Sequence, residues 1–84
     1  MEQKTKYAVT LHKRSTILSK TINRGTVAKS RKWVVDHFNN SGLYGIKKMG
    51  GFKYDGRIGR YTIYKTKYDK KGRYYVLTFE RDIK

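Results

Sequence analysis

The chain has 84 residues, 37% of them hydrophobic and 14% aromatic, with 21 Lys+Arg against 6 Asp+Glu. The absence of cysteine excludes disulfides, thiolate metal sites and a thiol nucleophile. A net charge of +15 makes so small a domain repel itself unless a polyanion neutralises it. We therefore expect one basic domain, residues 1–84, whose partner is a polyanion such as nucleic acid.

The composition also predicts a cytoplasmic protein. No apolar run follows the positive charge of the first residues, so no signal peptide is expected. No stretch approaches the ~18 apolar residues of a membrane span, and no membrane partner is expected. No cofactor and no metal are expected either, and the oligomeric state stays open.

The N-terminal part begins with a strand. Apolar residues occupy alternate positions over residues 6–12, which is the period of a half-buried strand. Residues 15–23 allow two interpretations. Ile17, Leu18 and Ile22 can form the inner face of a two-turn helix, whereas the β-branched residues of this segment suit a returning strand. The helix is slightly favoured.

Residues 27–39 are predicted to form the main helix. Thr26 stands at the N-cap position, and the sequence Asn-Asn-Ser-Gly that begins at residue 39 ends the helix. Val34 and Phe38 belong to an apolar stripe that faces the core. Trp33 projects away from that stripe.

The glycine-rich residues 43–60 are predicted to form one or two short, bent strands. Gly50-Gly51 indicates a two-residue hairpin turn, and Asp55-Gly56 indicates a second turn. The glycines and lysines of this stretch do not have the spacing of a nucleotide-binding loop.

Residues 60–81 are predicted to form a hairpin that turns at Asp69-Lys70-Lys71-Gly72. The register pairs Asp69 with Arg73, which places Ile63 opposite Phe79, with both facing the core. All elements together predict an α+β domain of order β-α-α-β-β-β, with one main helix (27–39) packed on an antiparallel sheet of three to four strands.

The candidate nucleic-acid contacts combine basic residues, which neutralise phosphates, with aromatic rings, which stack on unpaired bases. Tyr64, Tyr68 and Tyr74 are expected on one hairpin face as a stacking platform; alternatively, the tyrosines only stabilise the strands. The full set of candidates is Lys29, Lys32, Trp33, Lys47, Lys48, Lys53, Arg57, Arg60, Tyr64, Lys65, Lys67, Tyr68, Lys70, Lys71, Arg73 and Tyr74.

The hairpin tip around Lys70, Lys71 and Arg73 is the most basic part of this surface. A protruding β-ribbon can enter a nucleic-acid groove or lie along its phosphates. The alternative is a solvated hairpin whose lysines prevent edge-to-edge aggregation.

No catalytic residues are predicted, because His12 and His37 are the only histidines and the carboxylates form no paired motif. The predicted order β-α-α-β-β-β and the basic final hairpin nevertheless resemble RelE-type ribonuclease toxins, which cleave messenger RNA on the ribosome. The resemblance implies cationic roles for Lys53, Arg60 and Arg81, although this chain does not end in the aromatic residue often found in that family.

We therefore predict a small, non-enzymatic nucleic-acid-binding protein that acts as a regulator or accessory factor. DNA is slightly favoured over RNA because no RNA-binding signature is present. The alternatives are a RelE-like ribonuclease, a ribosome-associated protein, and a basic inhibitor that binds an acidic surface of another protein.

Overall fold

The computed structural model describes residues 4–83, apart from the side chain of Leu43. The elements are β1 (Lys4–Lys13), β2 (Thr16–Thr26), α1 (Val27–Asn40), two 3₁₀ turns (Leu43–Gly45 and Lys47–Met49), β3 (Lys53–Ile58), β4 (Tyr61–Lys65) and β5 (Tyr75–Glu80). The strands form an antiparallel sheet of order β2-β1-β5-β4-β3, which carries α1 on one face.

The prediction of an α+β domain with its main helix over residues 27–39 is confirmed. Val34 is buried, and Phe38 packs on the core cluster. Thr26 is the N-cap residue, but its side chain makes no capping hydrogen bond. Trp33 projects away from the core with 65% of its surface exposed, and its ring stacks on His37.

The predicted β-α-α-β-β-β order and the three to four strands are wrong. Residues 16–26 form a strand that pairs with β1 along its whole length, so the order is β-β-α-β-β-β. Ile17 and Ile22 lie on the sheet face away from α1 and are 60% and 50% exposed. The helical prediction assumed that these residues face a core, whereas their β-branched side chains stabilise an exposed edge strand.

The core lies between α1 and one face of the sheet, called the helix face. Leu11, Leu77 and Phe79 from the two central strands are at most 2% exposed. Tyr7 stacks on Phe79 with ring centroids 4.7 Å apart, and Ile46 from the segment after α1 is fully buried. No described element covers the opposite face, called the open face.

The final hairpin forms, but its register is one residue away from the prediction. The Asp69 amide donates to the Arg73 carbonyl at 2.9 Å, as expected. Thr66, however, takes the place expected for Lys67: its amide donates to the Tyr75 carbonyl, and its hydroxyl accepts the Tyr75 amide at 2.9 Å. A one-residue slip turns every side chain of a strand to the other face.

The slip exchanges the two faces of β4. Thr62 and Tyr64 lie on the helix face, opposite Phe79 and Leu77, while Ile63 pairs with Thr78 on the open face. The prediction that Ile63 faces the core opposite Phe79 is therefore wrong. We attribute this difference to the hydroxyl of Thr66, which replaces a backbone acceptor where the regular ladder ends.

The two glycine-containing dipeptides of segment 43–60 do not form the predicted turns. Gly50 has a left-handed conformation (φ 93°) and ends the second 3₁₀ turn, so Gly50-Gly51 leads into β3 and closes no hairpin. Asp55-Gly56 lies at a β-bulge inside β3. The segment 43–60 thus contains one short strand, bent by the bulge.

None of the helices within residues 4–83 is long and apolar enough to cross a membrane.

Candidate nucleic-acid interface

Two loops that are distant in the sequence meet at one end of the sheet. The Arg14 amide, in the turn between β1 and β2, donates to the Tyr74 carbonyl at 3.1 Å. The Arg14 guanidinium also reaches the Gly72 carbonyl at 3.4 Å. Arg14 has a left-handed backbone (φ 55°), which is uncommon outside glycine. The contact therefore holds the β1–β2 turn against the β4–β5 loop, residues 66–74.

A cleft of about 500 Å³ opens between the two loops. Four cations surround it, and Ser15 and Thr16 add hydroxyl groups that can donate hydrogen bonds. Arginine binds phosphate oxygens with a planar fork, and lysine with a compact charge. The lining of this cleft is Lys13, Arg14, Ser15, Thr16, Lys71 and Arg73.

Asp69 shapes the β4–β5 loop from within. Its carboxylate accepts the amides of Lys71 and Arg73 at 2.9 and 2.8 Å, and pairs with the Arg73 Nε at 2.7 Å. The bond from the Arg73 amide is the largest cause that lowers the pKa of Asp69, and its guanidinium and the Lys71 amide act in the same direction. The carboxylate is thus ionised at neutral pH and holds Arg73 at the cleft.

Further cations extend the cleft into a larger surface, here called the basic end. The ring of Tyr44 lies 5.6 Å from that of Tyr75, which brings the segment after α1 to this end of the sheet. Lys67 approaches Gly50 of the same segment. The cations of the basic end are Lys13, Arg14, Lys47, Lys48, Lys53, Lys65, Lys67, Lys70, Lys71 and Arg73.

The opposite end of the sheet has a different charge balance. Arg60 pairs with Glu80 at 3.9 Å and donates to the Asp82 carbonyl at 3.4 Å. Glu80 also forms a hydrogen bond with the Tyr61 hydroxyl, and this bond is the main cause that raises the pKa of that hydroxyl. Two of the chain's six acidic residues therefore lie where β5 ends, away from the cleft.

The predicted site residues divide between these regions. Lys29 and Lys32 lie in the first turns of α1, which begins at the end opposite to the cleft, and Trp33 lies midway along the helix. Arg57 lies on the helix face in the half of β3 near Arg60. The structure does not bring these five residues to the basic end. Ten of the predicted residues do lie at the basic end: Lys47, Lys48, Lys53, Lys65, Lys67, Tyr68, Lys70, Lys71, Arg73 and Tyr74.

The predicted platform of three tyrosines does not form on one face. Tyr64 lies on the helix face, where its ring meets Tyr54 edge to face at 6.1 Å. Burial raises the pKa of the Tyr64 hydroxyl, and the nearby charge of Arg31 partly offsets this rise. Tyr68 and Tyr74 instead meet each other at 5.0 Å beside Lys65, whose side chain belongs to the open face. The register slip explains the separation, because it turns Tyr64 away from the other two.

The structure changes two further expectations. The hairpin tip is not a free ribbon, because the hydrogen bonds of Arg14 fasten it to the neighbouring turn. The β-α-α-β-β-β order on which the likeness to RelE-type toxins depended is not present. Arg81 is beside Arg60, with its amide 3.2 Å from the Arg60 carbonyl, but Lys53 lies at the other end of the β3–β4 hairpin.

Sequence reasoning missed Lys13, Arg14, Ser15 and Thr16 as part of the cleft. The only available signal was the Lys-Arg pair after the first strand, which a β-turn would place at the surface. Nothing in the sequence pairs that turn with residues 71–73. Within residues 4–83, the structure has no group of three or more metal-binding side chains.

Comparisons with known protein families, with curated proteins and with solved structures found no match to this chain.

Proposed function

We propose that the protein binds nucleic acid through the basic end, without catalysing a reaction, as an accessory or regulatory factor. The cleft between the β1–β2 turn and the β4–β5 loop carries this proposal. Lys13, Arg14, Lys71 and Arg73 converge there, although like charges repel one another. A phosphate in the cleft would relieve that repulsion and release its own counterions.

The distribution of acidic residues supports the same proposal. Asp69 neutralises only one cation of the cleft, since its carboxylate pairs with Arg73. Asp55 attracts Lys65 at the edge of the basic end, which leaves two acidic residues among its ten cations. Glu80 and Asp82 lie at the far end of the sheet, where they pair with arginines. The basic end therefore keeps a strong positive potential, which attracts a polyanion and fixes its position on the molecule.

The test is a set of binding isotherms for duplex DNA, single-stranded DNA and RNA over a series of salt concentrations. If ~6–10 phosphates are contacted, the affinity falls about 10³–10⁵-fold between ~50 and ~200 mM salt. The comparison of DNA with RNA also tests the slight preference for DNA. If none of the three ligands binds at low salt, the proposal is refuted.

A further inference from the structure

A pair of tyrosines next to the cleft holds a lysine between its rings. The Lys65 Nζ atom lies 4.7 Å from the centre of the Tyr68 ring and 4.6 Å from that of Tyr74. It also donates to the Tyr68 hydroxyl at 3.0 Å. The Tyr68 ring, which meets Tyr74 edge to face, is therefore held in place at both its edge and its hydroxyl.

Tyr68 is nevertheless 61% exposed, so much of its surface remains available to a ligand. Holding an aromatic ring in place before binding reduces the entropy lost on binding. Because stacking on an aromatic ring tolerates any base, such a ring adds affinity without selecting a sequence. Tyr68 thus has the properties of a stacking surface for one nucleobase.

This stacking surface is connected to the cleft. The carbonyl of Tyr74 accepts the Arg14 amide, and the ring of Tyr74 contacts Tyr68. The Asp69 amide, one residue after Tyr68, donates to the carbonyl of Arg73. Tyr68 and Arg73 thus belong to one loop that is fastened beside the cleft, so a strand with a phosphate between Arg14 and Arg73 can also reach the Tyr68 ring.

The contact between the two loops argues against entry of the hairpin into a duplex groove. A two-stranded ribbon fits that groove, but the β4–β5 loop is fastened to the β1–β2 turn and cannot enter alone. In a duplex, moreover, neighbouring bases cover each base face, so Tyr68 would have nothing to stack on.

We infer that the basic end binds a single-stranded nucleic acid, with one base stacked on Tyr68 and the adjacent phosphate in the cleft. This inference rests on the proposed function and adds the state of the strand to it. The phosphates provide the salt-dependent part of the affinity, and the stacked base adds a part that depends little on salt.

The test compares oligothymidine, an abasic strand of the same length and a duplex, each titrated into the native protein and three variants. Tyr68→Leu removes the ring, and Tyr68→Phe keeps it. Tyr54→Leu is the matched control, because Tyr54 is 65% exposed and also meets another tyrosine edge to face, but on the helix face. Melting curves verify that each variant is folded.

The native protein should bind oligothymidine roughly 5- to 150-fold more tightly than the abasic strand, as expected for one stacked base. Tyr68→Leu should remove that difference and leave the affinities for the abasic strand and the duplex unchanged. Tyr68→Phe should keep most of that difference, because the ring stays while its hydrogen bond to Lys65 is lost. Tyr54→Leu should behave as the native protein does.

Equal native affinity for oligothymidine and the abasic strand would overturn the inference without any variant. A parallel loss of affinity for all three ligands in Tyr68→Leu would also overturn it, because the residue would then act only on loop structure. If no ligand binds at low salt, the proposed function itself fails, which is a different result from equal binding of the two single strands.

Discussion

The backbone amide of Arg14 lies 3.1 Å from the carbonyl oxygen of Tyr74. This hydrogen bond joins the first turn of the sheet to its last loop. Because β1 and β5 are neighbours in the sheet, their adjacent ends bring the two loops together. The cleft lies between the two loops that this contact joins.

Neutralising cations in the cleft and directly next to it should change the salt dependence of binding more than neutralising cations elsewhere. Lys13→Gln, Lys70→Gln and Lys71→Gln together lower the formal charge from +15 to +12 (15 − 3). If each residue contacts one phosphate, the slope of log affinity against log salt should decrease by about 2 for a single strand. Binding isotherms at several salt concentrations measure this slope.

The matched control is Lys4→Gln, Lys6→Gln and Arg24→Gln, which gives the same charge of +12 (15 − 3) at the far end of β1 and β2. This variant should keep a slope close to the native one. Equal decreases in both variants would mean that the charge acts diffusely and that the cleft is not the contact.

Removing Asp69 should weaken nucleic-acid binding even though it raises the positive charge to +16 (15 + 1). The amides of Lys71 and Arg73 lose their acceptor, and the Arg73 guanidinium loses its partner. Asp69→Ala therefore loosens one wall of the cleft. Asp36→Ala, an equal change of charge on the exposed side of α1, should bind at least as tightly as the native protein. Tighter binding by Asp69→Ala would show that net charge alone determines affinity.

The stability that Asp69 contributes should disappear in acid. Its pKa is lower in the folded protein than the ordinary value of about 3.9, chiefly because the Arg73 amide donates to the carboxylate. The contribution is therefore complete above that ordinary value and is lost as the pH falls through the folded-state pKa. In urea unfolding, the native protein should be more stable than Asp69→Ala at neutral pH, and the difference should shrink below pH ~4. A difference independent of pH would contradict this account.

Gly51→Ala should destabilise the fold more than Gly45→Ala. Both glycines have left-handed backbones, with φ values of +76° and +70°, so both substitutions carry a penalty of roughly 1–2 kcal/mol. A Cβ atom on Gly51 would in addition lie 3.0 Å from the Asn39 side chain, whereas at Gly45 it would meet nothing within 4 Å. Displacing Asn39 weakens the 2.7 Å hydrogen bond that it accepts from the Phe52 amide, at a further cost of up to about 1.5 kcal/mol. Equal free energies of unfolding would exclude that extra contact.

Thr66→Val should destabilise the hairpin by about 1–3 kcal/mol, because it leaves the buried Tyr75 amide without its acceptor. Thr66 is 3% exposed, so water cannot readily replace the hydroxyl. Thr78→Val, on the open face of β5, should stay within roughly 0.5 kcal/mol of the native protein. Thermal or urea unfolding of the three proteins measures these differences, and a neutral Thr66→Val would remove our explanation of the register.

Where the sequence pattern lies within one segment, it predicted the secondary structure of that segment well. The helix over residues 27–39 was predicted because its stripe, its stop signals and the outward Trp33 all lie in α1 or directly after it. The slight preference for a helix over residues 15–23 was wrong and the alternative strand is present, because the pattern shows where apolar residues occur but not whether a core covers them. Ile22 is apolar and half exposed on an edge strand. Its strand is held by pairing with β1, which no local pattern contains.

The hairpin shows the same limit on a smaller scale. Its turn was correctly placed, since Asp69 and Arg73 pair as predicted. The register then depended on whether Thr66 or Lys67 meets Tyr75, and a side-chain hydroxyl decided this. The predicted tyrosine platform failed for that reason alone.

The charge of +15, the absence of cysteine, the main helix and the basic character of the last loop can all be read from the sequence. Which cations lie together, and which tyrosine faces them, follows only from the fold. Charge and helical periodicity are properties of neighbouring residues and are therefore visible in the chain. A cleft between Arg14 and Arg73, by contrast, exists only because two distant strands hydrogen-bond side by side and bring their ends together.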